Sequence, residues 1–123
     1  MKEFLKKIPF FSFFTDSQLE EIIYDSKEKP FEKDDFIVRE GDKAQYIYLL
    51  TRGVATESCK SSYKRIKERL EIGSIISYHQ IISGHHRYQT SCVADCLVYA
   101  LRINLNKIKK MMKGNKKVIE NFI

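Results

Sequence analysis

The chain has 123 residues, 43% of them hydrophobic, and a formal charge of +6 from 22 Lys+Arg against 16 Asp+Glu. That length suits one domain, and that composition supports a packed core and excludes disorder of the bulk chain. No apolar run approaches the roughly 18 residues that cross a bilayer, the N-terminus has no small-residue cleavage site and is not read as a signal peptide, and three cysteines without a CxxC pair argue against a disulfide framework and fit a reducing setting.

The elements follow in order. Phe4, Leu5 and Ile8 are helically spaced and stop at Pro9. The run Phe10 to Phe14 reads as core and helix docking. Thr15 or Asp16 caps a helix over Ser17 to Asp25, with Leu19, Ile22 and Ile23 on one face. From Pro30 the period becomes two: Phe36 to Val38, a turn at Glu40-Gly41-Asp42, then Tyr46 to Leu50 ending at Arg52-Gly53, then Val54 to Glu57. Residues 60–69 are charged and read as a loop with a short strand around Ile66. Val93 to Leu101 reads as one strand. From Asn104 the pattern is helical through Leu105, Ile108, Met111 and Met112, Gly114 ends it, and Val118 to Ile123 begins another helix. Helix, many short strands, helix predicts an α+β architecture, a β-roll or barrel with helical flanks.

The stretch from Gly73 to Thr90 carries the chemistry. It reads as a phosphate-binding loop in which Arg87 and Thr90, a cation and a hydroxyl, are spaced to face one anion. His85 and His86 beside Arg87 read as solvated loop histidines. Cys92 and Cys96 share a face if both lie on one strand, and read as buried structural thiols rather than metal ligands with those histidines. The basic excess is concentrated in Lys107, Lys109, Lys110, Lys113, Lys116 and Lys117, which reads as a solvated helix face or a surface for anionic lipid and does not make a uniform nucleic-acid surface. There is no paired-carboxylate motif, Gly-x-Ser-x-Gly, Walker loop or Cys/His nucleophile arrangement, so no enzyme is expected; no nucleic-acid-reading motif is present either.

In order and spacing, Leu5-Lys-Lys-Ile-Pro-Phe-Phe11, Leu19-Glu-Glu-Ile22, Phe31 through Ile37, Arg39-Glu-Gly41-Asp42, Tyr46 through Gly53 and Gly73-Ser-Ile-Ile76 together resemble a cyclic nucleotide-binding domain. The resemblance implies a double-stranded β-helix, or jelly roll, over residues 1–123, as one domain of a larger protein whose C-terminal lid helix is truncated here. It implies cAMP or cGMP as ligand, with Arg87 on the phosphate, His79 and Gln80 supplying backbone amides, and Thr90 touching the phosphate or a guanine. Asp34 stands where the family has a turn glycine, and Asp tolerates left-handed backbone. Ser77 stands at the cassette's glycine position. Tyr78, nine residues before Arg87, stands where the family has an acidic residue that accepts from the ribose 2′-hydroxyl. Tyr78 then replaces that acceptor, stacks on a base, packs, or fills the pocket of a ligand-independent module. The implied effector is an ion channel or exchanger attached in the same chain, with the domain on the cytoplasmic side of a membrane.

Overall fold

The computed structural model describes residues 1–60 and 65–114, with 65 and 66 described by backbone alone. Helix α1 (Lys2–Lys6) leads into a 3-10 turn at Pro9–Phe13. Helix α2 (Asp16–Asp25) is opened by Thr15: the Gln18 amide donates to Thr15 Oγ1 at 3.1 Å and the Thr15 amide donates to Gln18 Oε1 at 2.9 Å. This reciprocal cap satisfies two of the helix's orphan donors and starts it one residue earlier than the sequence suggests. Helix α3 (Leu105–Lys113) is capped by the Asn104 side chain, which accepts from the Lys107 amide at 3.1 Å, and closes at Gly114 as expected. The helix predicted beyond it lies outside the described residues.

Between α2 and α3 run β1 (Lys27–Phe31), β2 (Phe36–Val38), β3 (Tyr46–Arg52), β4 (Ala55–Lys60), β5 (Arg65–Leu70), β6 (Ile75–Ile76), β7 (Ser91–Ala94) and β8 (Val98–Asn104). They form two antiparallel four-stranded sheets, ordered β1-β8-β3-β6 and β2-β7-β4-β5. This is the predicted β-roll with helical flanks. Two readings need correction. The strand expected around Ile66 is present but longer, because β5 pairs with β4 in unbroken register from Ala55↔Leu70 to Lys60↔Arg65, and residues 61–64 of the expected loop lie outside the described residues. Residues 93–101 are two strands in different sheets, separated by a turn at 95–97. The consecutive charges Lys67, Glu68 and Arg69, all exposed, made β5 read as shorter than it is.

The apolar side chains divide by sheet face. Ile47 and Leu49 of β3, with Leu101 and Ile103 of β8, pack against Leu5, Phe10, Phe11, Phe14, Leu19, Ile22 and Ile108 of the helical layer. Leu50, Val98 and Ala100 face the other way, onto Ile37, Val38, Ala55, Cys92 and Ala94 of the second sheet. The first sheet is buried on both faces, which is why Tyr46–Leu50 reads as a continuous apolar run. Phe13 alone of the four phenylalanines in its run is exposed.

Among the described residues five turns use left-handed backbone: Asp34 (φ 73°), Gly41 (φ 93°), Gly53 (φ 90°), Gly73 (φ 94°) and Ser77 (φ 64°). Asp34 fulfils the expectation drawn from its chemistry. At Gly53 an added Cβ would lie 2.5 Å from the Leu97 carbonyl oxygen, whereas at Gly41 nothing comes within 4 Å. Gly53→Ala therefore adds a backbone clash to a disfavoured φ and should cost about 2–5 kcal/mol, against about 1–2 kcal/mol for Gly41→Ala. Ser77→Gly should stabilise by about 1 kcal/mol, since it relieves the left-handed serine and removes a buried unpaired hydroxyl, less the added unfolded-state entropy of glycine. Urea-unfolding midpoints of the three variants check this order.

Candidate functional site

The cassette leaves β6 at Ser77, turns left-handed, forms a short 3-10 turn over Tyr78–Ile81, and returns through an exposed loop to β7. Its internal brace is Gln80, which is fully buried. The Gln80 side-chain nitrogen donates to the Arg87 carbonyl at 3.2 Å, and its side-chain oxygen accepts from the Gln89 amide at 3.2 Å. Its own backbone amide donates to the Ser77 carbonyl at 3.0 Å. Gln80 thus holds the loop closed, and its backbone amide is engaged within the turn. A buried amide side chain with both ends paired rigidifies the segment it spans.

The loop's far limb lies antiparallel to residues 41–44. The Ala44 amide donates to the His86 carbonyl at 2.9 Å and the Tyr88 amide to the Asp42 carbonyl at 2.8 Å. Tyr88 is buried, and its hydroxyl donates to the Tyr46 carbonyl at 2.6 Å. Burial pushes that phenol up to about 12, so it stays protonated. These bonds fix where Arg87 emerges. Its side chain is exposed at the surface, and Nη1 donates to the Gly41 carbonyl at 2.7 Å. Among the described residues no carboxylate pairs with it. A guanidinium carries five donors, so most of its fork remains open to an anion.

Thr90 is not beside Arg87 on a shared acceptor. Its hydroxyl donates to Glu57 Oε2 at 2.8 Å, and the Ser77 amide donates to the same oxygen at 2.9 Å. Glu57 is a site residue that the sequence reading missed. The available signal was its position: Ala55 of β4 is fully buried in the core, and Glu57, two residues on, shares that inward face. Tyr78 sits elsewhere. Its ring meets Phe10 edge-on, with centroids 5.7 Å apart and planes at 88°, and borders a cavity of about 210 Å³ with Ile8, Pro9, Gly73 and Ile75. It therefore packs against the N-terminal segment and does not fill the roll. Burial raises its pKa above the ordinary 10.0. His79 lies in the first turn of the cassette with Nε2 buried and unpaired, and Ser77 Oγ is buried and unpaired too.

The neighbouring groups are settled by exposure and pairing. His85 and His86 are exposed, as expected. Cys92 is buried, and its thiol is pushed up to about 12 by burial, with Glu57 and Asp95 adding to the shift. Cys96 is exposed in the turn after β7, so the two cysteines do not share a strand face, and Cys96 is not a buried thiol. Among the described residues no group of three or more His, Cys, Asp or Glu is arranged to hold a metal. Lys107 pairs with Glu21 at 3.2 Å and with Asp25, and Lys109 donates to the Ser83 carbonyl at 3.1 Å. Those two lysines of the basic run tie α3 to α2 and to the cassette; Lys110 and Lys113 are exposed, and Lys116 and Lys117 lie outside the described residues. No helix among the described residues is long and apolar enough to cross a membrane.

Comparison with known proteins agrees with this fold. The sensor domain of the transcriptional regulator DNR from Pseudomonas aeruginosa superposes with a TM-score of 0.89 at 15% identity, over 98% of this chain and 82% of that one. A candidate cyclic nucleotide-binding protein from Geobacter metallireducens superposes at 0.77 with 28% identity, over 98% and 87%. The regulatory subunit of a cAMP-independent protein kinase A from Trypanosoma brucei, in a substituted form bound to cAMP in its A site, superposes at 0.81 with 17% identity, over 98% and 44%. The chain spans 54% of full-length DNR and less than half of the trypanosome subunit. No curated protein sequence matches it. A family model, the cyclic nucleotide-binding domain, matches residues 28–115, from β1 to just past the end of α3. The chain belongs to the cyclic nucleotide-binding domain family.

Proposed function

We propose that this domain senses cAMP or cGMP and controls an effector attached in the same chain. The observation that carries the reading is Arg87: a guanidinium at the mouth of the cassette, held by one neutral carbonyl and facing no carboxylate among the described residues. A cyclic phosphate is a stronger acceptor than that carbonyl, because both partners are then charged. Arg87 would exchange the Gly41 carbonyl for the phosphate and loosen the tie between the cassette and the 39–42 turn. Calorimetry should show cAMP or cGMP binding to the 123-residue chain, with adenosine and guanosine, which lack the phosphate, weaker by roughly tenfold or more. Arg87→Glu should lower cyclic-nucleotide affinity by roughly a hundredfold. No heat with either nucleotide at millimolar concentration, or unchanged affinity in Arg87→Glu, rejects the reading.

A route from cassette to effector is built into α3. Lys109 reaches the Ser83 carbonyl, and Ile81, Ile82, Ser83, Lys109 and Met112 line a cavity of about 320 Å³ between cassette and helix. Movement of the cassette would therefore be felt at α3. Lys109→Ala should leave nucleotide affinity within about threefold while reducing the ligand-induced change in amide exchange along α3, since it removes a link and not a ligand contact. As to the effector, the channel or exchanger expected from the sequence gains no support from the relatives, which are regulators of transcription and of a kinase. A second reading, a ligand-independent module, is favoured by one observation: the Ser77 amide and the Thr90 hydroxyl are already satisfied by Glu57. The calorimetry separates the two.

A further inference from the structure

The helices pack on the first sheet, and the outward face of the second carries a cavity of about 660 Å³, none of whose lining residues lies in the 73–90 stretch. Alternation along β4 sends Glu57 inward to the cassette and Thr56, Ser58 and Lys60 outward into this cavity. Strand register sets Ser58 between Ser91 of β7 and Lys67 of β5, and sets Val93 of β7 between Thr56 and Phe36 of β2. The floor therefore has an apolar end, at Phe36 and Val93, and a hydroxyl-bearing, cationic end two residues along β7, about 6.8 Å away. Hydrogen bonds hold its walls. The Glu40 amide donates to Ser91 Oγ at 2.9 Å, the Lys60 amide to Glu40 Oε1 at 3.3 Å, and the Thr56 hydroxyl to Asp95 Oδ2 at 2.7 Å. The Arg39 guanidinium carbon lies 4.0 Å from the centroid of the Phe36 ring, so a planar cation is laid over the apolar end.

We propose that this cavity is a second ligand site, for a small molecule that joins one flat ring to a phosphate monoester. Its volume falls within the roughly 300–1,000 Å³ usual for small-ligand sites. Charge favours an anion. Glu40, Asp42 and Asp95 line the cavity beside Arg39, Lys60 and Lys67, yet among the described residues none of those three cations enters an ion pair. Glu40 and Asp95 each commit an oxygen to the wall bonds instead. A phosphate monoester presents three strong acceptor oxygens and close to two negative charges, which suits three cations and the Ser91 hydroxyl, an acceptor from Glu40 that still has a proton to donate. The ring has its own place. Phe36 is 42% exposed, with Val93 beside it, and an arginine plane stacks on aromatic faces. A bare phosphate would use one end of the floor and an uncharged ring the other. The inference does not rest on the cyclic-nucleotide reading, because the two sites use opposite faces of β4.

The test follows backbone amide signals of the 123-residue chain by NMR during titration with phenyl phosphate, and with inorganic phosphate and phenol as its two halves. Phenyl phosphate should give saturating shifts at Ser58, Ser91 and Val93 and bind roughly tenfold tighter than either half. The same shifts should persist in Arg87→Glu, which removes the cassette's phosphate-binding cation. Lys67→Ala should weaken phenyl phosphate and inorganic phosphate alike, by roughly 3- to 10-fold. Phe36→Leu should weaken phenyl phosphate by about 3-fold or more and leave inorganic phosphate unchanged. Both substituted side chains are exposed, and circular dichroism reports whether each variant is folded. Inorganic phosphate or phenol binding as tightly as phenyl phosphate overturns the inference, as do shifts confined to the cassette or to α3, or shifts lost in Arg87→Glu. A phosphotyrosine tetrapeptide that binds more than about tenfold tighter than phenyl phosphate makes a protein segment the occupant and overturns the small-molecule assignment. Each of these outcomes leaves the cyclic-nucleotide reading to its own calorimetry.

Discussion

A single carboxylate oxygen of Glu57 accepts from the first residue of the cassette and from the last, and the shape of the site follows from that bond pair. Ser77 must turn left-handed to present its amide to β4. That turn starts the short helical segment which buries Gln80, and Gln80 then holds the returning limb through Arg87 and Gln89. The limb in turn pairs with the 41–44 segment and sets Arg87 at the surface over the Gly41 carbonyl. The bonds of Glu57 and Gln80 satisfy buried or half-buried polar groups and would be expensive to leave unmade, whereas the Arg87 bond lies at the surface. The loop is therefore ordered through its contacts with β4 and with the 41–44 turn, although most of its outer residues face water.

The helical layer gives this loop a way to report. The first sheet is buried on both faces, by the second sheet on one side and by the helices on the other. Ile81 of the cassette and Ile108 and Met112 of α3 belong to the same apolar cluster as Phe10 and Phe11. Tyr78 extends the cassette's contact to Phe10, and Lys109 extends it to α3. The cassette is thus packed against both the N-terminal and the C-terminal helical segments. Close-packed elements move together or not at all, so a change of cassette position has two helical outlets.

The fold was largely legible in the sequence because it is written in periodicity and in turn chemistry. Apolar spacing placed α2 and α3, and glycines at positions 41 and 53 with Asp34 marked turns that do adopt positive φ. The misread segments were those where exposure broke the pattern. Consecutive charges at Lys67, Glu68 and Arg69 shortened β5 in the reading, and the mostly apolar stretch from Val93 to Leu101 concealed a change of sheet. The site was less legible than the fold. Arg87 could be found by its distance from Tyr78 along the chain. Glu57 was harder to find, because it reaches the cassette across a sheet from 20 residues away, and its only signal was its place on the inward face two residues after Ala55. The same distance explains why Tyr78 looked decisive: read along the chain it occupies the acidic position, whereas in space it belongs to the Phe10 cluster.

The account's central claim is that Arg87 and the Glu57-braced cassette together form a cyclic-nucleotide site coupled to α3. It is tested most directly by following backbone amide and arginine side-chain signals by NMR during titration of the 123-residue chain with cAMP and cGMP. The account predicts that one of these ligands shifts Ser77, the Arg87 side chain and Thr90 in step, at a common midpoint, and that α3 around Lys109 follows at that midpoint. Shifts confined to other surfaces, or a saturating ligand that leaves Ser77 and Arg87 unmoved, would contradict it.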